Sequence, residues 1–168
     1  MNRTVCAIDP GDIQSAFVVW NPDGNGGLGE IIVKGIWPNG DVFNWLVDNA
    51  GSFDVLAFEM VACYGMPVGR TIFETVFWIG RFYTAGAACI ERARVTRQTI
   101  KNHHCQSMRA NDANVRQCLI DKYGEPGTKA KPGITYGLKK DLWAAFALAT
   151  YWTENNKETR KVYDGSGN

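Results

Sequence analysis

Three acidic residues stand where an acid is costly unless it is used. Asp9 closes the apolar run TVCAID at a Pro-Gly turn, Glu59 lies inside VLAFEMV, and Asp141 falls in the first turn of an alanine-rich helical pattern. Each has a structural account of its own. Asp-Pro-Gly is a common turn opening, and an acid in a first helical turn complements the helix dipole. Glu59 has the weakest such account, because an unpaired glutamate in an apolar strand carries a large desolvation cost. Brought together, three carboxylates repel and raise one another's pKa values, and a divalent cation resolves the conflict. Oxygen-only ligands favour Mg²⁺, with Mn²⁺ able to substitute, over zinc. Two such ions roughly 4 Å apart are a standard device for in-line phosphodiester hydrolysis.

Meeting requires particular elements in a particular order. Residues 4–9 read as a strand, residues 15–20 (SAFVVW) as a second and residues 30–37 as a third. The connection NPDGNGGLG at 21–29 is turn chemistry, so the three strands form an antiparallel meander. Asp41 is placed to cap a helix carrying Phe43, Trp45, Leu46 and Val47. Residues 54–60 (DVLAFEM) form a fourth, nearly continuous apolar strand of the central type. A long helix follows over 70–88, then a weaker strand at 93–96 and a short helix or turn at 99–105. Asp112 is placed to cap a helix over 113–123, and a last helix spans 138–155. The order βββ-α-β-α-β-α-α implies an α/β fold: one mixed five-stranded sheet, three antiparallel strands then parallel, with helices on both faces. If strands one and four are neighbours, Asp9 and Glu59 emerge at adjacent strand ends, and the last helix brings Asp141 to them. Residues 1–155 read as one nuclease-type domain and residues 156–168 as a polar tail.

Charge at first argues the other way. The 168 residues carry 18 bases and 17 acids, net +1, which is not the basic balance usual for a nucleic-acid binder. The halves differ, however. Residues 1–60 hold eight acids and two bases (−6), and residues 61–168 hold nine acids and sixteen bases (+7). No apolar run is long enough for a membrane span, and the N-terminus lacks a signal-peptide pattern. Five cysteines without CxxC spacing argue against a disulfide framework, and the adjacent His103-His104-Cys105 is a poor zinc site. A reduced, cytosolic protein with buried thiols is the expectation, without membrane contact.

With these residues in place, the chain resembles the ribonuclease-H-like superfamily, and within it the RuvC-like Holliday junction resolvases, especially short phage-type members. The resemblance runs from about residue 4 to 152. Its pieces are AIDPG (7–11), FEMVACYGMPVG (58–69), FETVFWIGRF (73–82), IKNHHCQSMRANDANVRQCLIDKYG (100–124) and YGLKKDLWAAFALA (136–149). It implies a Mg²⁺-dependent homodimeric endonuclease that cuts four-way DNA junctions, with Asp9, Glu59 and Asp141 as catalytic metal ligands. Other members carry a second acid one turn along the last helix, where this chain has Ala144. They carry a lysine where this chain has Asp112, so Asp112 is either a fourth ligand or a helix cap. Their aromatic wedge falls on Ala62, leaving Tyr64 or Met66 to enter the junction centre.

The acid-free stretch 92–110 contributes Arg97, Lys101 and Arg109 as phosphate contacts, together with Arg92 and Arg94. A second cluster comprises Lys122, Lys129, Lys131, Lys139 and Lys140. An ordinary solvated face is the alternative for both. The helix over 70–88 is apolar on so many sides that it must be covered on more than one. It is either a central core helix or, as the resemblance implies, a two-fold interface through Phe73, Phe77 and Trp78. Rival readings are a related nuclease acting on other branched DNA or RNA–DNA hybrids, and a catalytically inert branched-DNA-binding module. A sugar-kinase or actin-like architecture needs two domains, which 168 residues do not hold.

Overall fold

A computed structural model describes residues 2–63 and 65–156. Tyr64 and the tail beyond 156 lie outside the described residues. Five strands, β1 (Val5–Asp9), β2 (Gln14–Asn21), β3 (Glu30–Pro38), β4 (Val55–Met60) and β5 (Glu91–Thr96), form one sheet in the order β3-β2-β1-β4-β5. The first three are antiparallel neighbours, while β1–β4 and β4–β5 are parallel. The helices are the single turn α1 (Gly24–Gly27), α2 (Asn39–Asn49), α3 (Arg70–Ala85), α4 (Arg97–Cys105), α5 (Asp112–Tyr123) and α6 (Leu142–Asn155). This is the expected mixed α/β sheet, with three helices after β5.

Strand alternation sorts the side chains between two cores. Val5, Ala7, Ala16, Val18, Val55 and Ala57 face Ala145, Phe146 and Ala149 of α6, with Ile100 of α4 and Leu119 of α5 beside them. Cys6, Ile8, Phe17, Leu56 and Phe58 face α2 and α3 through Val42, Leu46, Ile79 and Phe82. Alanines on both sides of the first interface let α6 lie close to the sheet, which is the function of its alanine-rich sequence. Asp9 and Glu59 share strand parity with Ala7 and Ala57, so both carboxylates project to the α6 side.

Several boundaries differ from the sequence expectation. Helix α6 starts at Leu142, not at 138, because Gly137 (φ 77°) and Lys140 (φ 46°) are left-handed and interrupt any helix there. The cap of α5 is Asn111, whose side chain accepts from the Asn114 N–H while the Asn114 side chain accepts from the Asn111 N–H. Asp112 is therefore the first helical residue and not the cap. Asp41 likewise sits inside the first turn of α2, behind a cap at Pro38.

Helix α3 ends at Ala85, followed by a 3₁₀ turn at Gly86–Ala88. A Cβ on Gly86 would lie 2.2 Å from Leu56 Cδ2, so any side chain there would have to push the buried Leu56 aside. Helix α3 is not a central core helix. It buries Thr75, Ile79 and Phe82 along one face, while Phe73 (66% exposed), Val76 and Phe77 (56%) form an uncovered apolar stripe on another. The expectation of cover on several sides fails within one chain. No helix among the described residues is long and apolar enough to cross a membrane.

Candidate active site

The parallel pairing of β1 with β4 matches Ile8 with Phe58, so Asp9 and Glu59 follow at the next step of neighbouring strands. Asp141 holds the N-cap position of α6, and its side chain makes no capping hydrogen bond. Its carboxylate is thus not spent on the helix end and lines a cleft. That cleft is also lined by Glu59, Arg97, Lys101, Asp112, Lys140 and Ala144. Ala144, one turn along α6 from Asp141, leaves room where a further acid could stand. Asp112 lines the same cleft from α5, and the cap reading fails because Asn111 caps that helix.

Electrostatics ties these groups together. Burial pushes the Asp9 pKa up to about 8, and the nearby Glu59 charge adds to the rise. Arg97 opposes it, while Asp141 and Asp112 raise it further. The Arg97 guanidinium donates from Nη1 to Glu59 Oε1 at 2.8 Å and from Nη2 to Asp112 Oδ1 at 2.5 Å. Burial works against its charge, yet the two carboxylates outweigh burial and raise its pKa. Glu59, only 9% exposed, thereby has the partner its apolar strand demands. Among the described residues, no three acid, histidine or cysteine side chains converge closely enough to enclose an ion as they stand. The donor chemistry nonetheless fits a hard divalent cation: the acids supply oxygen only, and a fixed positive charge already bridges two of them.

The loop after Asp9 is held from β2 and α2. Ser15 Oγ accepts from the Gly11 N–H at 3.2 Å and donates to Asn39 Oδ1 at 2.6 Å, and Asn39 Nδ2 donates to the Gly11 carbonyl at 3.0 Å. Ser15 and Asn39 are both buried. A Cβ on Gly11 would lie 2.4 Å from the Gln14 carbonyl oxygen, so glycine is required at the turn. Asp9 is thus not what holds its own turn. Sequence reasoning missed Ser15 and Asn39, since nothing in their local pattern marks them. Asn39→Ala should strand Ser15 and the Gly11 carbonyl and cost ~1–3 kcal/mol in urea unfolding. Asn39→Ala unfolding at the wild-type midpoint would refute that role.

The basic residues divide. Arg97, Lys101 and Lys140 line the acid cleft. Lys139 and Lys140 line an adjoining groove with Lys34 and Gln14, so a base from the acidic half joins them. Arg109 is elsewhere, in a depression between α4 and α5 beside Cys105 and Cys118. Arg92 lies over the Tyr83 ring and donates to the Tyr83 carbonyl. Lys122 leaves the expected second cluster: its Nζ pairs with Glu154 at 2.6 Å. Burial works against the Glu154 charge, but Lys122, Tyr123 and His103 donate to it and hold its pKa at about 2. His103 meets Glu154 and His104 meets the Ala147 carbonyl, each at 2.8 Å. Met66 is exposed beside Gly65, whose φ is 82°.

No family model and no curated protein matches the chain. Solved structures do. Thermus thermophilus RuvC aligns with a TM-score of 0.69 at 15% identity, covering 90% of this chain and 96% of that one. The same protein in complex with a Holliday junction substrate aligns at 0.68 and 13% identity, over 89% and 92%. The yeast mitochondrial Holliday junction resolvase Ydc2 aligns at 0.61 and 10% identity, over 89% of this chain and 78% of that one. With the sheet order and the placement of its helices, the chain has the ribonuclease-H-like fold of RuvC and other Holliday junction resolvases.

Proposed function

We propose that this protein is a divalent-metal-dependent endonuclease that cleaves four-way DNA junctions as a homodimer. One observation carries the reading. Asp9 and Glu59 at neighbouring strand ends and Asp141 and Asp112 at two helix starts interact electrostatically in one place, beside cleft-lining Lys101 and Lys140. The junction-bound relative supports the choice of substrate.

Asp9, Glu59 and Asp141 would hold Mg²⁺ or Mn²⁺, with Asp112 the fourth carboxylate. When bound, divalent ions supply activation of water and stabilisation of the leaving oxygen. The protein's own residues do the rest. Lys101 and Lys140 bind phosphates on either side of the acids, and Lys139 continues the path into the neighbouring groove. The left-handed backbone of Lys140 serves two ends: it stops the helix before Asp141 and places the lysine between cleft and groove. Met66 at the exposed loop after β4 is the described candidate for a wedge at the junction centre. The uncovered stripe of α3, with Trp78 beside it, forms the two-fold contact, and two sites so related make two symmetric nicks.

A cleavage panel tests the proposal. In Mg²⁺, a synthetic four-way junction should receive paired nicks, and flap, fork, linear duplex and RNA–DNA hybrid should be cut at least ~10-fold more slowly. Binding should weaken as salt rises, despite the neutral charge sum. Preferred cutting of hybrid or flap would replace the substrate assignment. Junction binding without cleavage of any substrate would point to an inert binding module.

A further inference from the structure

The acid site already contains a cation, and it is a side chain. Arg97 opens α4, directly after β5, and its guanidinium reaches back across the cleft. One Nη group meets Glu59 at 2.8 Å and the other meets Asp112 at 2.5 Å. It therefore spans an acid of the sheet and an acid of a helix. Both are among the carboxylates that metal ions must recruit. A lone guanidinium is not a general solution for this cleft, because it engages two of the four acids and leaves Asp9 and Asp141 unbridged among the described pairs. The contact is also accessible, since the Arg97 side chain is 39% exposed and Asp112 is more open still. Glu59 by contrast is nearly sealed, so whichever cation holds it excludes the other.

We propose that Arg97 is a resident counter-cation that occupies the acid site when it is metal-free, competes with divalent ions for Glu59, and is released to a DNA phosphate when ions bind. The proposal rests on the reading of these acids as a metal site. It assigns to Arg97 a task that a simple phosphate contact does not have. With the guanidinium in place, the metal-free acids are partly neutralised and the cleft stays assembled. Ions must break two ion pairs to enter. The freed planar fork then offers two parallel donors, the geometry that suits a phosphate. Metal and DNA thus assist each other, because each removes a competitor of the other.

Calorimetric titration of Mn²⁺ into the DNA-free protein tests this without reference to cleavage, with thermal unfolding measured alongside. Arg97→Gln removes the competitor, and its Mn²⁺ midpoint should fall about tenfold below wild type, the order expected for losing one close positive charge. Metal-free Arg97→Gln should melt below wild type, and saturating Mn²⁺ should restore most of the difference. Arg97→Lys keeps the charge but cannot span both acids, so its midpoint should lie between the two. An Arg97→Gln midpoint equal to or weaker than wild type would overturn the counter-cation role while leaving the metal site standing. A melting deficit that Mn²⁺ does not repair would mark Arg97 as a structural brace and also overturn it. Absence of Mn²⁺ binding to every protein, wild type included, would overturn both the role and the metal-site reading beneath it.

Discussion

Asp9→Asn should abolish junction nicking, by ~10³-fold or more, while leaving junction binding within about threefold of wild type. The magnitude is that of losing a principal charge from a preorganised site. Glu59→Gln and Asp141→Asn should behave alike, because the three acids act as one set. Asp9→Asn has a second consequence that separates catalysis from damage. The folded Asp9 carboxyl has a pKa of about 8, against roughly 3.9 for an unfolded aspartate. A raised folded value means that the native state holds the extra proton between those limits. The stabilising contribution is fully present below about pH 4 and is lost as pH rises through 8. Metal-free wild type should therefore lose stability across that window. Asp9→Asn, which cannot ionise, should exceed it at pH 8 by on the order of 2 kcal/mol, the cleft relaxing part of the penalty away. Divalent ions should stabilise wild type more at pH 8 than at pH 5.5 and should lose most of that effect on Asp9→Asn. A stable, fully active Asp9→Asn or Asp141→Asn would end the site assignment.

Phe77→Lys should convert the proposed dimer into a folded monomer in analytical ultracentrifugation. Phe73, Val76 and Phe77 lie uncovered along one side of α3, and such a stripe on a helix already packed by its other face calls for a partner surface. The helix meets the sheet through Ile79 and Phe82, so a lysine at 77 leaves those contacts in place and gives up only the edge contact with Trp78 and the Arg81 stack. In a two-fold interface the new charge would face the same surface on its mate, and its desolvation would cost far more than a lost contact. Circular dichroism should be unchanged, and paired nicks should give way to slow, uncoupled single nicks. A dimer of wild-type affinity carrying Phe77→Lys would place the two-fold contact elsewhere.

The three acids proposed as catalytic stood out in the sequence because each violates a local rule. An acid inside an apolar strand, or at the head of an alanine-rich helix, is costly wherever the chain goes. Strand types, their order and the mixed sheet followed from periodicity and turn residues for the same reason: these signals are local. The last helix was overextended because left-handed backbone at a lysine, here Lys140, leaves no mark in residue type. Asp112 was ambiguous because Asp caps helices well, and it took a neighbouring Asn111–Asn114 capping box to free it.

What the sequence by itself determined is therefore which acids stand at costly positions and in what order: Asp9 at the end of β1, Glu59 in β4 and Asp141 ahead of α6, in a chain whose acids and bases separate into halves. Only the tertiary structure decided how those charges are shared. It joined Arg97 to Glu59 and Asp112 across 38 and 15 residues. It diverted Lys122 to Glu154, and it brought Lys34 out of the acidic half to the groove of Lys139 and Lys140. It also exposed the second face of α3, which its sequence alone had assigned to cover. The physical reason is range. Propensity and burial act on a residue and its near neighbours, whereas the partner of a charge depends on which distant segment the closed sheet sets beside it.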